Sequence, residues 1–172
     1  MYALEIGPGT HPTNREWHTM DMVGSPTIRH DVRILPLPLA SDSYDLIYMS
    51  HILEHIPWFQ TVDFLKEIHR VLRPNGITEI WVPDFGKIVQ AYLTKKPGDT
   101  WFKFNPGKDA MTWINGRIFT YGPGEENWHR AVFDFDSLKG VLLSAGFKST
   151  ARLKRPRGYD HGAINLGVAG SK

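Results

Sequence analysis

Glu5-Ile6-Gly7-Pro8-Gly9 closes the first apolar run of the chain, and its residue types suit a backbone that must approach a ligand closely. Glycine has no Cβ to hold a ligand away and reaches positive φ without strain. In a parallel α/β sheet, an acid at the end of the next strand can hold ribose hydroxyls through its two oxygens, and Asp21 stands in that place. A dinucleotide would further need a third glycine, to pack the helix whose N-terminus cradles the pyrophosphate. Here Thr10-His11-Pro12 follows instead, which makes a nicotinamide dehydrogenase the weaker reading. Eight histidines are present, and His51, His55, His129 and His161 are candidates for a general base because imidazole titrates near neutrality. His51 and His55 also stand at i and i+4, but no third ligand has matching spacing, so no metal is expected.

These residues need elements to position them. Tyr2, Leu4 and Ile6 alternate with Ala3 and Glu5, the period of a strand that stops at the glycines. Further strands are read over Trp17 to Met22, Thr27 to His30, and Tyr44 to Met49, the last apolar on both faces as in the middle of a parallel sheet. Between Phe59 and Leu72, the residues Phe64, Leu65, Ile68, Val71 and Leu72 form one apolar helical stripe, ended by Pro74-Asn75-Gly76. A strand over Ile77 to Val82, a helix over Phe135 to Ala145 and strands over Lys148 to Leu153 and Ala163 to Ala169 complete an α/β alternation. Such sheets bind ligands beyond the carboxyl ends of their strands. That rule selects the residues after Ile6, Met20, His30, Met49 and Val82.

Several segments recur in one order with compact spacing: Asp31-Val32-Arg33-Ile34-Leu35-Pro36, Ser43-Tyr44-Asp45-Leu46-Ile47, Ser50-His51-Ile52-Leu53-Glu54-His55, and Arg70-Val71-Leu72-Arg73-Pro74-Asn75-Gly76. Together with the glycine turn they closely resemble the type 11 class I methyltransferases, densely from Ala3 to Asp84 and more thinly at Phe133 to Phe147. The resemblance implies S-adenosylmethionine as cofactor, S-adenosylhomocysteine as product, and a Rossmann-like, mostly parallel seven-stranded sheet with an antiparallel final hairpin. It also implies that Glu5, Gly7 and Gly9 line the methionine and ribose portions and that Asp21 accepts from the ribose hydroxyls. Asp31 would accept from the adenine amino group with Val32 against the ring, while Ser50 and His51 border the methionine end. It accounts for His51 and His55 without a metal. Adenosylmethionine has no phosphates, so the missing third glycine costs it little. Aligning acceptor, methyl and sulfur supplies much of the rate of methyl transfer, and a hydroxyl or amine acceptor can also use a base, for which His51, His129 and His161 are the expected catalytic residues.

The chain departs from this pattern in its first half. Only Thr10 to Glu16 and Val23 to Thr27 separate the first three strands, whereas a parallel crossover with its helix takes at least about 10–12 residues. Helices on one side of the sheet must therefore be reduced, and a bare apolar face there would predict a homodimer or another covering partner. Residues 85–132 form an insertion in a single domain spanning 1–172. Its aromatics Trp101, Phe102, Phe104, Trp113, Phe119, Tyr121 and Trp128 suit a satellite core or an acceptor lid, with Tyr121, Trp128 and His129 as wall residues. Arg152, Lys154, Arg155 and Arg157 precede the last strand and suggest a small anionic acceptor such as a phosphorylated or nucleotide sugar, against a solvated hairpin tip.

Composition bounds the alternatives. Twenty basic and 18 acidic residues leave a net charge of +2, which argues against a nucleic-acid partner or substrate. No apolar run is long enough to cross a bilayer, no signal pattern opens the chain, and the absence of cysteine suits a cytoplasmic location. Two rivals to a saccharide-type O- or N-methyltransferase stand beside it. One is a non-catalytic cofactor-binding or interaction protein with a degenerate fold. The other is a nucleic-acid-binding module or nucleic-acid methyltransferase.

Overall fold

The computed structural model describes residues 1–94, 109–120 and 122–172. Trp101, Phe102, Phe104 and Tyr121, expected in the insertion's core or lid, lie outside the described residues. Strands β1 (Ala3–Ile6), β2 (His18–Asp21), β3 (Ile28–Arg29), β4 (Tyr44–Ser50), β5 (Leu72–Pro83), β6 (Ser149–Leu153) and β7 (Asn165–Ser171) form one sheet in the order β3-β2-β1-β4-β5-β7-β6. The β1–β5 pairings are parallel, and β7 runs antiparallel to both β5 and β6. Helices α1 (Thr61–Val71), α2 (Phe85–Thr94), α3 (Ala110–Ile118) and α4 (Phe135–Ser144) complete the described elements, with three short 3-10 turns. This is the expected α/β, seven-stranded, mostly parallel sheet with its antiparallel final hairpin. The chain passes from α1 straight into β5 at Leu72, and Asn75 takes the expected positive φ of 65° in that strand's first half, where its pairing with β4 shifts register. The last strand lies two residues later than its apolar run suggests.

Strand register sorts the side chains into two unlike faces. Leu4, Ile6, Met20, Ile47, Met49, Ile80 and Val168 share one face and are buried against Phe64, Leu65 and Ile68 of α1 and Leu138 and Leu142 of α4. Full burial of such a side chain contributes roughly 1.5–3 kcal/mol, so this layer holds the fold together. The apolar stripe of α1 follows from its i, i+3, i+4 spacing. An Asp134–Ser137 capping box starts α4, satisfying N–H groups that a helix leaves open at its first turn.

The opposite face carries a polar row, Thr19, Glu5, Tyr48 and Glu79, aligned across β2, β1, β4 and β5. Loops cover it where helices are missing. Thr13 donates to Glu5 through both its backbone N–H (2.7 Å) and its hydroxyl (2.6 Å). The N–H of Gly158 donates to the Tyr48 hydroxyl, and the Arg157 guanidinium grips Glu79 with two bonds of 2.7 Å. Trp17 packs edge-on against Tyr48. The shortened crossovers therefore expose no broad apolar face. Between residues 17 and 30 the exposed side chains are His18, Val23, Ser25, Thr27 and Arg29. The apolar surface that motivated a dimer is absent from that edge.

Candidate functional site

A cavity of about 280 Å³ opens beyond the carboxyl ends of β1, β2 and β4, the place where an open α/β sheet offers a crevice. Gly7 (φ +72°) and Gly9 (φ +60°) turn the chain at its floor. The N–H of Gly7 donates to the Met20 carbonyl at 2.8 Å, and that of Gly9 to Asp21 Oδ2 at 2.8 Å, while Asp21 Oδ1 accepts from Val23 N–H at 3.0 Å. The acid at the end of β2 thus holds the glycine turn of β1 in place. Ile52 fills the space a Cβ on Gly7 would take, so a side chain there would force Ile52 to move.

Six of the eight residues expected at the cofactor line this cavity: Gly7, Gly9, Asp21, Asp31, Val32 and His51. Asp31 is engaged by Arg33 in a two-pronged pair (2.8–3.2 Å), and those hydrogen bonds hold its carboxyl below the usual range. Glu5 and Ser50 do not border the cavity. Glu5 lies two residues before Gly7, with Ile6 between them, so strand alternation turns it to the polar face. There burial raises its carboxyl despite the two bonds from Thr13. The Ser50 hydroxyl is buried without a hydrogen-bond partner. The sequence reading missed Ile52 and Arg33, which sit inside motifs already singled out, and placed His55 only among the candidate bases, whereas it too lines the cavity. It also missed Glu126 and Asn127, which the insertion returns to the cavity wall.

The fold gathers four histidines around one buried acid. Glu54 is 1% exposed, and neither of its carboxylate oxygens has a hydrogen-bond partner. His51 Nδ1 lies 3.0 Å from Glu54 Oε1, an ion-pair distance. Its Nε2 is 3.0 Å from Asn165 Oδ1, and Asn165 Nδ2 donates to Asp160 at 3.0 Å, which fixes the amide so that Nε2 must be the donor. Burial opposes the charged form of His51, yet the Glu54 carboxylate prevails and raises its pKa. His51 holds an unusual backbone as well, with φ of 57°. The His161 ring lies against His51 at a tilt of 44° with centroids 4.0 Å apart, and desolvation plus the nearby His51 imidazole bring its pKa down to about 4. His129 sits apart from this pair, edge-on to His55 at 4.9 Å, and burial lowers its pKa. Burial raises the Glu54 carboxyl most, but the facing imidazoles His51, His55 and His129 outweigh it and keep the pKa low.

A second cleft, of about 320 Å³, is bordered by Trp81, Lys87, Arg152, Lys154, Asp160 and Asn165. His51 lines the first cavity and Asn165 the second, so their hydrogen bond spans the boundary between the two. Of the basic loop, Arg152 and Lys154 reach this cleft. Arg157 is committed to Glu79 on the polar face. Arg152 also lies over the Phe135 ring at 4.5 Å. Lys87 donates to the Ala163 and Asn165 carbonyls. Trp128, expected as a wall residue, is 43% exposed and meets the site through its carbonyl, which His55 Nδ1 contacts at 3.2 Å.

Comparison with known proteins matches residues 2–80 to the type 11 methyltransferase domain family. Demethylmenaquinone methyltransferases from two Staphylococcus epidermidis strains are 29% identical over 121 residues, covering 64% of this chain and 43% of each relative. The chain thus spans less than half the length of these relatives. Among solved structures, a SAM-dependent methyltransferase from Thermotoga maritima superposes with a TM-score of 0.60 at 18% identity, over 99% of this chain and 82% of that one. The 1,6-didemethyltoxoflavin-N1-methyltransferase of Burkholderia thailandensis, solved with S-adenosylhomocysteine, gives 0.55 at 16% identity, over 99% and 70%. At these identities the structural likeness speaks for the fold.

Proposed function

We propose that the chain is a class I S-adenosylmethionine-dependent methyltransferase of type 11, the family whose domain model matches residues 2–80, and that it methylates an oxygen or nitrogen of a small anionic acceptor. One observation carries the cofactor half of this reading: six of the eight motif residues converge on a single cavity at the strand ends. The residues present fit S-adenosylmethionine. No helix follows Gly9, and none is required for a ligand without phosphates. Asp21 spends one acceptor site of each oxygen on Gly9 and Val23 and keeps others for a ribose, since a carboxylate offers about four. Asp31 and Val32 border the same cavity, as the adenine positions require.

When bound, the cofactor supplies a methyl group already activated on a sulfonium. The chain's part is then to orient, to exclude water and to manage one proton. His51 is pinned between Glu54 and Asn165, and the Glu54 carboxylate raises its pKa, which favours a negatively charged acceptor beside it. His161, neutral at pH 7 with a pKa of about 4, can accept a hydrogen bond from the acceptor's hydroxyl or amine. Lys154 and Arg152 in the adjoining cleft are the groups that would bind an acceptor phosphate. The acceptor named for the Staphylococcus relatives, a demethylmenaquinone, offers no such anion. A saccharide phosphate or nucleotide sugar fits the cleft better.

The test is transfer of labelled methyl from S-adenosylmethionine to paired acceptors, each sugar offered with and without its phosphate. Turnover restricted to the phosphorylated members, with KM raised in Lys154→Ala, is the expected result. Equal turnover of neutral and charged members would remove the anionic reading. Tight cofactor binding with no turnover on any acceptor would favour the non-catalytic alternative.

A further inference from the structure

We propose that Glu54, His55 and His129 form a binding site for a divalent transition-metal ion of the zinc class. One ligand atom from each of the three lies within 4.8 Å of the other two. A tetrahedral ion bound at ~2.0–2.1 Å sets its ligand atoms about 3.4 Å apart, so closure needs side-chain movements of an ångström or so. A carboxylate with two imidazoles is a known three-ligand zinc set that leaves a fourth position open.

Three further observations bear on this site. First, Glu54 is buried, and among the described residues neither oxygen has a hydrogen-bond partner, with His51 at ion-pair distance from Oε1 alone; Oε2 is left for a further cation, and a buried charged oxygen with no partner costs free energy. Second, both imidazoles are held as metal ligands usually are. His55 Nδ1 lies 3.2 Å from the Trp128 carbonyl and His129 Nδ1 lies 2.9 Å from that of Arg117. A carbonyl can only accept, so each Nδ1 carries the proton and each Nε2 keeps a lone pair. Third, a void of about 10 Å³ lies beside the cluster, bordered by Glu54 and His129 and by apolar residues such as Phe85 and Phe133, with His55 outside its lining; it gives the Glu54 and His129 side chains room to shift. The Arg117 side chain also borders this void, and His51 faces Glu54 from the other side. Both would compete with the ion as partners for the carboxylate.

The site would join two distant segments. Glu54 and His55 follow β4, whereas His129 lies on the limb that returns from the insertion, where the Glu54 carbonyl already accepts from the N–H groups of Arg130 and Ala131. His55 also lines the cofactor cavity. A bound ion would therefore fasten the return limb, with Glu126 and Asn127, against that cavity.

Calorimetric titration of the chelator-treated full chain with Zn²⁺ tests this without reference to methyl transfer, alongside thermal unfolding with and without the ion. One equivalent bound, with a rise in Tm, is expected. His55→Ala and His129→Ala should each lower the affinity by more than about tenfold, since even outer-shell changes cost 10–100-fold, and should abolish the Tm rise. His11→Ala, at an exposed position, should change neither. Co²⁺ in place of Zn²⁺ should give the visible absorption of a four-coordinate site, lost in His55→Ala. Absence of one-to-one binding to the folded wild-type chain would overturn the proposal, as would equal binding by both variants, which would assign the ion to surface histidines.

Discussion

Gly7→Ala and Gly9→Ala look alike in sequence, and the structure separates them. Both glycines have positive φ, +72° and +60°, which costs an L-residue roughly 1–2 kcal/mol. At Gly9 nothing lies within 4 Å of the new methyl, whereas at Gly7 it overlaps Cδ1 and Cγ1 of Ile52. Forcing a packed side chain aside adds about 1–3 kcal/mol. Gly7→Ala should therefore lose about 2–5 kcal/mol in urea unfolding at constant m, against about 1–2 for Gly9→Ala. Ile52→Val shortens the offending side chain, so in the Gly7→Ala background it should cost less than it does alone. Ligand binding should reverse the order of tolerance: the Gly9 methyl projects into open space at the cavity floor and should weaken S-adenosylhomocysteine binding while sparing the fold. Equal destabilisation by the two substitutions, within about 0.5 kcal/mol, together with no effect of Gly9→Ala on binding, would refute the assignment of this turn.

Two further outcomes follow from the same geometry. In histidine ring NMR, His161 should titrate near pH 4 and His51 above its ordinary 6.5. His161 is depressed, so the unfolded chain takes the proton first: its stabilising contribution is complete above about pH 6.5 and is lost as pH falls toward 4, a loss that His161→Asn should abolish. The elevated His51 acts in the opposite sense, contributing below pH 6.5 and losing that contribution as pH rises through its folded value. Two normal titrations near 6.5 would contradict the close ring pair. Asp134→Ala removes the carboxylate half of the α4 capping box, leaving the bond from the residue-134 N–H to Ser137 Oγ, and should cost about 0.5–2 kcal/mol by chemical denaturation; no loss would mean that the helix start is held without that carboxylate.

What the sequence made legible was local. The alternation through Ile6 and the stripe from Phe64 to Leu72 placed β1 and α1 nearly where they lie. The glycine turn with Asp21, Asp31 and His51 sits around one cavity as the motif order implied. Glu5 does not line that cavity, and its position two residues before Gly7 already put it on the other face of the strand. Other features depend on register and return paths that no local pattern encodes. The row of Thr19, Glu5, Tyr48 and Glu79 exists because four strands pair in one register, and it explains why the shortened crossovers leave a loop-covered polar face where a bare apolar one was expected. His129 meets Glu54 and His55 from more than seventy residues away, a juxtaposition that the local spacing of His51 and His55 does not encode. Among the described residues no helix is long and apolar enough to cross a membrane.

The most direct test is calorimetric titration of the wild-type chain and Asp21→Ala with S-adenosylmethionine and S-adenosylhomocysteine. Micromolar one-to-one binding to the wild type is predicted, weakened by about 1–3 kcal/mol when the carboxylate that serves both Gly9 and the ribose is removed. No heat at several temperatures, with Tm unmoved by either ligand, would contradict the cofactor site itself.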